Sequence, residues 1–262
     1  MPAKTSDAMT SLVHRLIPPL VAKASAPLSS SMALYALQLK ALQSILDQTG
    51  RCAHLDQWLT EGEQQLFSSF SLQKRRLEWL GGRITAKVSL LSLLGDDDPL
   101  FTPNRLEILP DRTGRPHLTG LGAALPEKIS LSISHSGSQA AAMASRDRPC
   151  GLDIQQLSPA LKGIKERFSS ATERRFLQSC PQLSRYNKLE QLALLWSAKE
   201  AIRKALLLSP LPGLQEIHLT GEPRPEAGAF HLAAALIRNG KQWNFSVISW
   251  LENDMAMAIT LL

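Results

Sequence analysis

Two short segments place an acidic side chain inside otherwise apolar sequence. In Gly151-Leu152-Asp153-Ile154-Gln155 polar and aliphatic residues alternate, as they do in a strand with one polar face. In Trp196-Ser197-Ala198-Lys199-Glu200-Ala201 the acidic residue lies in the middle of a leucine-rich helical pattern. A carboxylate buried in apolar structure needs a cation beside it. Asp153 and Glu200 together therefore indicate a divalent metal ion held between a strand and a helix, an arrangement that is more often catalytic than structural.

The donor types narrow the choice of metal. Oxygen ligands without His or Cys companions suit Mg²⁺, or Mn²⁺, better than zinc. Gln155 shares a strand face with Asp153 and is the third candidate ligand. The competing interpretation is structural, with Glu200 paired to Lys204 on a helix surface and Asp153 at a strand end. Spacing alone leaves both interpretations open.

Several basic residues could hold phosphate groups near such a metal. Arginine forks match phosphate oxygens, and a Ser134-His135-Ser136-Gly137 turn adds backbone amides and hydroxyls. Together with one metal and a lysine they indicate a phosphoryl-transfer site, although each alone is also typical of a solvated surface charge. No Gly-x-Ser-x-Gly elbow, HExxH helix or GxxxxGK[ST] loop is present. The candidate basic residues are Arg75, Arg83, Arg115, His135 and Lys204.

Two similar sets of elements must position these side chains. The periodicity and capping signals predict, in the first half, a strand at 32–42, a capped helix after Thr60, a helix at 73–94 and a hairpin at 129–144. The second half repeats this plan with a strand at 150–157, a capped helix after Ser170, a helix at 188–208 and a hairpin at 243–262. We therefore expect an α/β (α+β) fold, a pseudo-twofold tandem of two strand-helix-helix-hairpin halves with the site in the seam. In the long first-half helix, Gly81-Gly82 indicates a close approach to the backbone.

The predicted boundaries are a loosely ordered N-terminal extension at 1–31, an N-terminal half at 32–148 and a C-terminal half at 149–262. The extension is rich in Ser, Ala and Pro, and prolines interrupt its apolar piece, which argues against a secretory signal.

Composition bounds the partners of the 262-residue chain. It has 29 Lys+Arg against 23 Asp+Glu, a net charge of +6 and a pI near 9.4, which favours anionic partners such as phosphates, nucleic acid or an acidic protein. No basic arm indicates nucleic acid, and no apolar run is long enough to span a membrane. The cysteines Cys52, Cys150 and Cys180 share no CxxC spacing, which fits a reducing cytoplasm.

Three motifs in order resemble one family. Ser132-Ile133-Ser134-His135-Ser136-Gly137, the segment around Asp153 and the segment around Glu200 resemble those of 4′-phosphopantetheinyl transferases of the larger, monomeric, surfactin-synthetase-activating type. Gly114-Arg115-Pro116 is similar to that family's Gly-Lys-Pro, and the basic helix at 74–87 is similar to its arginine-bearing first helix. The motif matches span residues 58–205.

This resemblance implies a pseudo-dimeric α/β fold with coenzyme A between the halves. It implies that Asp153 and Glu200 hold Mg²⁺ against the diphosphate. It also implies a reaction that moves phosphopantetheine to a serine of an acidic acyl or peptidyl carrier protein and releases adenosine 3′,5′-bisphosphate. Glu200 would be the base, directly or through a water on the metal, and Lys204 would stabilise charge on the oxygens. The residues that contact phosphates by this resemblance are Arg75, Arg83, Arg115, Ser134, His135 and Lys204.

One position departs from the family pattern, because Gln155 stands where a second strand carboxylate is usual. An amide oxygen can ligate Mg²⁺ but brings no charge, so we expect weaker metal binding or a water in its place. Two other functions stay open: a metal-dependent hydrolase of the coenzyme A diphosphate, and a non-catalytic module that binds coenzyme A or a carrier protein. Glu173 matches an acidic family residue, but helix capping is its first interpretation.

Overall fold

The computed structural model describes residues 12–15, 31–49, 55–95, 101–119 and 128–262. These residues form two compact units, and the chain passes from one to the other between Arg148 and Pro149. Among them, no helix is both long enough and apolar enough to cross a membrane. Of the extension predicted at 1–31, residues 12–15 and 31 are described, and the rest lies outside the described residues.

The first unit is an antiparallel sheet with helices. Its four-stranded sheet has the order β1-β2-β6-β5, and β3 and β4 form a separate hairpin. The long helix α4 packs across β6, β2 and β5. The strands are β1 (Val13–Arg15), β2 (Met32–Gln38), β3 (Glu107–Pro110), β4 (Pro116–Thr119), β5 (Ile129–Ser136) and β6 (Gln139–Arg146), and the helices are α1 (Leu39–Thr49), α2 (Leu55–Trp58), α3 (Glu61–Ser69) and α4 (Gln73–Leu94).

The glycine pair in α4 confirms the predicted close approach. A Cβ on Gly81 would lie 2.7 Å from Cδ2 of Leu39 and 3.1 Å from Cβ of Ala140. A Cβ on Gly82 would lie 2.8 Å from Cγ2 of Ile133. The helix can therefore lie directly on the sheet only because these two positions lack side chains.

The second unit has the same kind of architecture. Its sheet has the order β7-β12-β11-β10-β8, with β9 paired to β10, and every pairing is antiparallel. Helix α7 packs across β7, β12 and β11. The strands are β7 (Cys150–Gln156), β8 (Ile217–Leu219), β9 (Arg224–Glu226), β10 (Ala229–Arg238), β11 (Lys241–Glu252) and β12 (Met255–Leu261), and the helices are α5 (Ala160–Ile164), α6 (Ala171–Ser179) and α7 (Lys188–Ala205).

The predicted repeat is present in the order of elements. Each unit runs from a strand through a capped helix and a long helix to a hairpin whose last strand pairs with the first strand. In both capped helices the Thr or Ser hydroxyl accepts from the third amide, and the third-position Glu accepts from the cap amide, as the capping boxes at Thr60 and Ser170 predict. The mixed α/β fold class is therefore confirmed.

Two boundaries differ from the sequence prediction. The strand predicted at 32–42 ends at Gln38, because Leu39, Leu42 and Leu46 follow helical spacing and are buried on one face of α1. Helix α7 ends at Ala205 rather than 208, and the backbone of Leu206 is already extended. Within the predicted extension, Val13–Arg15 forms β1 and pairs with β2.

Candidate functional site

The strand that carries Asp153 meets helix α7 at a glycine. A Cβ on Gly151 would lie 1.9 Å from the carbonyl oxygen of Ala201 and 2.9 Å from the amide nitrogen of Ala205. Both are backbone atoms and cannot rotate away, so only glycine allows this contact. Because side chains alternate along a strand, Asp153 lies on the same face of β7 as Gly151 and points toward α7.

Asp153 is only 5% exposed, and its partner is a lysine of α7. The Nζ of Lys204 donates to Oδ1 of Asp153 at 2.7 Å and to the carbonyl oxygen of Leu152 at 3.1 Å. The structural alternative in the sequence analysis pairs Lys204 with Glu200 on the helix surface. In the structure Lys204 forms its ion pair with Asp153. The cation beside the buried strand carboxylate in this structure is the ammonium of Lys204, and the metal ion stays a prediction.

Glu200 lies one turn earlier on α7, and its carboxylate has an unusual environment. Its side chain is 15% exposed, and Nη1 of Arg203 lies 3.2 Å from Oε1. Burial and the nearby charge of Asp153 raise the pKa of Glu200, while Arg203 and Lys204 act in the opposite direction. Asp153 is buried and Glu200 is only slightly exposed, and two such carboxylates that disfavour each other's charge form a site suited to an additional cation.

The donor set fits a hard cation with two protein carboxylates. Within the described ranges no group of three or more His, Cys, Asp and Glu side chains could hold a metal ion. The third predicted ligand, Gln155, uses its Nε2 to donate to the carbonyl oxygen of Gln156 at 2.9 Å. The carboxylate oxygens of Asp153 and Glu200 are the kind of donor that Mg²⁺ prefers, so these two residues could hold such an ion.

The residue before Glu200 fixes how α7 is oriented in its unit. Lys199 is fully buried, and its Nζ lies 2.8 Å from Oε1 of Glu173 and 2.8 Å from the carbonyl oxygen of Phe168. Glu173 also caps the amide of Ser170 and accepts from the amide of Leu219. The capping interpretation of Glu173 is confirmed, and its second role is to neutralise a buried ammonium.

A pocket of about 380 Å³ in the first unit collects three of the predicted phosphate-binding residues. Arg75 and Arg83 come from α4, and His135 comes from the end of β5. Nη1 of Arg75 lies 3.5 Å from Nε2 of His135. The remaining lining residues are Leu66, Phe70, Glu78, Trp79, Gly82, Pro110, Gly114, Pro116 and Ile133. Three basic side chains around one concave space form an anion-binding environment.

Arg83 is held rigidly at the wall of this pocket. Its guanidinium stacks on Trp79, with 4.7 Å from Cζ to the ring centroid, and its Nε lies 3.9 Å from Oε1 of Glu63. Burial lowers the pKa of Arg83 to about 10, with Glu63 opposing that change and Arg75 adding to it. Arg83 therefore remains charged at neutral pH.

Two predicted phosphate-binding residues of the first unit do not line the pocket. Ser134 is 5% exposed and lies on the opposite face of β5 from His135. Arg115 lies in the β3–β4 turn, where its amide donates to Oδ1 of Asp111. Its neighbours Gly114 and Pro116 line the pocket, so the β3–β4 hairpin borders the pocket.

Three acidic or basic residues of the first unit were missed by the sequence analysis. Glu78 lines the pocket, and Glu63 accepts a hydrogen bond from the buried ammonium of Lys87. Lys87 also donates to the carbonyl oxygens of Trp58 and Pro103 at 2.6 and 2.8 Å. Glu63 was visible only as a capping residue, and Lys87 resembled one more cation on a basic helix.

Comparison with known proteins decides the family. The family model for the 4′-phosphopantetheinyl transferase superfamily matches residues 149–260, which lie within the second unit. A holo-[acyl-carrier-protein] synthase of Halalkalibacterium halodurans is 34% identical over 113 residues, which are 43% of this chain and 90% of that protein. The chain belongs to the 4′-phosphopantetheinyl transferase superfamily.

A second curated relative supports the same family. A holo-[acyl-carrier-protein] synthase of an Exiguobacterium species is 37% identical over 89 residues, covering 34% of this chain and 70% of that protein. A holo-(acyl-carrier-protein) synthase from Bacillus anthracis, solved in complex with CoA (3′,5′-ADP), is 22% identical with a TM-score of 0.38, over 45% of this chain and 95% of that chain. The predicted enzyme class, a phosphopantetheinyl transferase, is confirmed by the named relatives and the family model.

Proposed function

We propose that this transferase moves the 4′-phosphopantetheine group of coenzyme A to a serine hydroxyl of an acyl or peptidyl carrier protein. The observation that carries this proposal is the arrangement of Asp153, Glu200 and Lys204 in the unit that the family model matches. Two carboxylates and an ammonium suit a reaction in which negative charge builds up on phosphate oxygens. The relatives' names, holo-[acyl-carrier-protein] synthase, support the choice of acceptor.

The first unit would contribute to binding of the donor. Arg75, Arg83 and His135 surround a pocket large enough for a phosphate and part of its nucleoside, and Arg83 is held in place by Trp79 and Glu63. We assign the 3′-phosphate of coenzyme A to this pocket.

In the reaction, the serine oxygen attacks the β-phosphorus, which carries the pantetheine arm. The bond from that phosphorus to the bridging oxygen breaks, and adenosine 3′,5′-bisphosphate leaves with that oxygen. Glu200 takes the serine proton, and burial and the charge of Asp153 raise its pKa, which makes the carboxylate a stronger proton acceptor. Lys204, held by Asp153, would stabilise the charge on the leaving oxygens.

A divalent cation, Mg²⁺ or Mn²⁺, would bind the oxygens of Asp153 and Glu200. When bound, it supplies charge neutralisation for the diphosphate and a fixed geometry for its oxygens. The support is the donor chemistry, together with the pKa of Glu200, which burial and the nearby charge of Asp153 raise. Gln155 would contribute at most a neutral ligand, so waters would complete the coordination.

The net charge supports the proposed kind of partner protein, and the cysteines support the proposed compartment. A chain with a net charge of +6 favours an acidic carrier protein over a basic one. Cys150 and Cys180 are buried thiols that form no disulfide among the described residues, which supports a reducing cytoplasm. We further infer that the enzyme acts as a monomer, since the chain carries two similar units in tandem.

The experiment that tests the proposal incubates the protein with an apo carrier protein, coenzyme A and Mg²⁺ and measures the carrier's intact mass. We expect the mass of one phosphopantetheine to be added, and none with Glu200→Ala. Arg175→Ala, at an exposed position of α6, serves as the matched control and should retain activity. Loss of coenzyme A without any gain in carrier mass would favour the hydrolase, and binding without turnover would favour the non-catalytic module.

A further inference from the structure

A carboxylate lines the pocket that collects the basic residues of the first unit. Glu78 comes from the same helix as Arg75 and Arg83, and its side chain is 13% exposed. Its Oε2 lies 3.7 Å from Nδ1 of His135, and its Oε1 lies 3.7 Å from Nζ of Lys74. Lys74 is 82% exposed, and exposed pairs of this kind contribute little. His135 is therefore the neighbour that matters for this carboxylate.

The opposite side of the His135 ring faces a second cation. Nε2 lies 3.5 Å from Nη1 of Arg75, so a doubly protonated ring would lie directly against a guanidinium. Two like charges at that distance repel each other. Glu78 on the Nδ1 side offsets this repulsion, because it gives the ring an anion opposite the guanidinium. The imidazole lies between an anion at one nitrogen and a cation at the other.

Plain electrostatics predicts that a carboxylate in this pocket weakens the binding of an anion. A phosphate in the pocket would be repelled by Glu78 if the carboxylate acted only through its charge. The geometry points to a different role, in which the carboxylate fixes the ring so that Nε2 presents a proton to the phosphate. The two roles predict opposite effects of removing the charge.

We propose that Glu78 is a positioning residue that holds His135 oriented, with its Nε2 directed at a phosphate group of the donor. The inference rests on the proposed function, which puts the 3′-phosphate of coenzyme A in this pocket. Glu78 itself does not touch the phosphate. It acts through His135 and allows His135 and Arg75 to lie side by side before the ligand arrives, so that less reorganisation is needed on binding.

The test compares Glu78→Gln with the wild-type enzyme, using coenzyme A and dephospho-coenzyme A, which lacks the 3′-phosphate, as donors. We expect the KM for coenzyme A to rise about three- to tenfold with kcat unchanged, as for the loss of one charge-assisted contact. The KM for dephospho-coenzyme A should not change. Glu78→Asp, which retains the charge, should recover part of the affinity.

Three further variants make the test specific. In a His135→Gln background, Glu78→Gln should have no additional effect, because the group it positions is absent. Lys74→Ala removes the other partner of Glu78 and should leave the KM unchanged. Glu61→Gln removes an exposed carboxylate of α3 and controls for the change in net charge.

The proposal is overturned if Glu78→Gln tightens binding of coenzyme A or leaves it unchanged, if it affects both donors equally, or if its effect adds to that of His135→Gln. Direct calorimetry with adenosine 3′,5′-bisphosphate repeats the comparison without turnover. If the wild-type enzyme transfers nothing to a carrier but Glu78→Gln weakens binding of this bisphosphate, the proposed function fails while the role of Glu78 stands.

Discussion

The ammonium of Lys199 lies 2.8 Å from the carboxylate of Glu173, in a place where the lysine is completely buried. The first unit contains the same pair, Lys87 with Glu63, in the same sequence context. In each unit the carboxylate also caps a short helix, and the lysine donates to the carbonyl oxygen two residues before the cap. Each pair ties the long helix of its unit to the capped helix.

Removing one partner of such a pair should be costly. Lys199→Met leaves the Glu173 carboxylate buried without its cation, and we expect the free energy of unfolding to fall by about 3–5 kcal/mol. Urea denaturation measures this free energy, from the transition in which the second unit unfolds. Lys199→Met combined with Glu173→Gln should recover part of the loss, because glutamine keeps the helix cap and brings no charge. The exposed Lys188→Met is the control and should change stability by less than about 0.5 kcal/mol.

The pKa of Glu200 makes stability depend on pH in a defined direction. Because the folded-state pKa is raised above 4.5, the folded protein holds this proton more tightly than the unfolded chain does. The stabilisation that Glu200 contributes is fully present below about pH 4.5. It is lost as the pH rises through the raised pKa of this carboxyl group. In the presence of EDTA, Glu200→Gln should therefore have a higher Tm than the wild-type protein above that interval.

The same comparison tests the metal site without an activity measurement. Added Mg²⁺ should raise the Tm of the wild-type protein, because a ligand that binds only the folded state stabilises it. It should have no effect on Glu200→Gln or Asp153→Asn. A Tm of Glu200→Gln below that of the wild type in EDTA at neutral pH would contradict the environment we describe for this carboxylate.

Gly151 sets the distance between β7 and α7. Gly151→Ala would bring a Cβ against the backbone of Ala201 and Ala205, so α7 must move away from the strand. We expect a loss of stability of about 1–3 kcal/mol, together with a large fall in kcat, because Asp153 and Lys204 separate. Gly163→Ala is the matched control, since no atom lies within 4 Å of its added Cβ. Equal Tm values and activities for the two variants would refute this role of Gly151.

Gln155 offers a test of how many charges the metal site needs. Gln155→Glu should lower the Mg²⁺ concentration that gives half-maximal activity, because a third carboxylate strengthens binding of a hard cation. Gln156→Glu adds the same charge at the exposed neighbouring position and should have no such effect. The measurement is the activity of the wild-type protein, Gln155→Glu and Gln156→Glu as a function of Mg²⁺ concentration. An unchanged metal requirement in Gln155→Glu would exclude this position as a ligand.

Local signals in the sequence predict much of the architecture. The capping boxes at Thr60 and Ser170 and the apolar stripe of α4 each depend on residues a few positions apart, so the sequence contains the whole signal. The same holds for Asp153 and Glu200, because a carboxylate in an apolar pattern is unusual by itself. The end of β2 at Gln38 was misplaced because apolar residues continue into α1 without a turn signal.

The rest depends on contacts between residues that are distant in the chain. The role of Glu78 depends on His135, and that of Lys87 depends on Glu63. Helical periodicity does not reveal these partners, so by itself it predicts that Glu78 and Lys87 are ordinary surface charges. Gly151 is not at a turn, and the need for glycine at this position becomes clear only from the close approach of α7. Ser134 and His135 are adjacent in the sequence, but strand alternation puts them on opposite faces of β5.

The most direct measurement of the central claim is the stoichiometry of the two products in a single reaction. The protein is incubated with coenzyme A, Mg²⁺ and an apo carrier, and both the modified carrier and adenosine 3′,5′-bisphosphate are quantified over time. Transfer predicts that the two form in a one-to-one ratio and that both are absent with Glu200→Gln. Release of adenosine 3′,5′-bisphosphate without modified carrier, for each of several carriers, would contradict it.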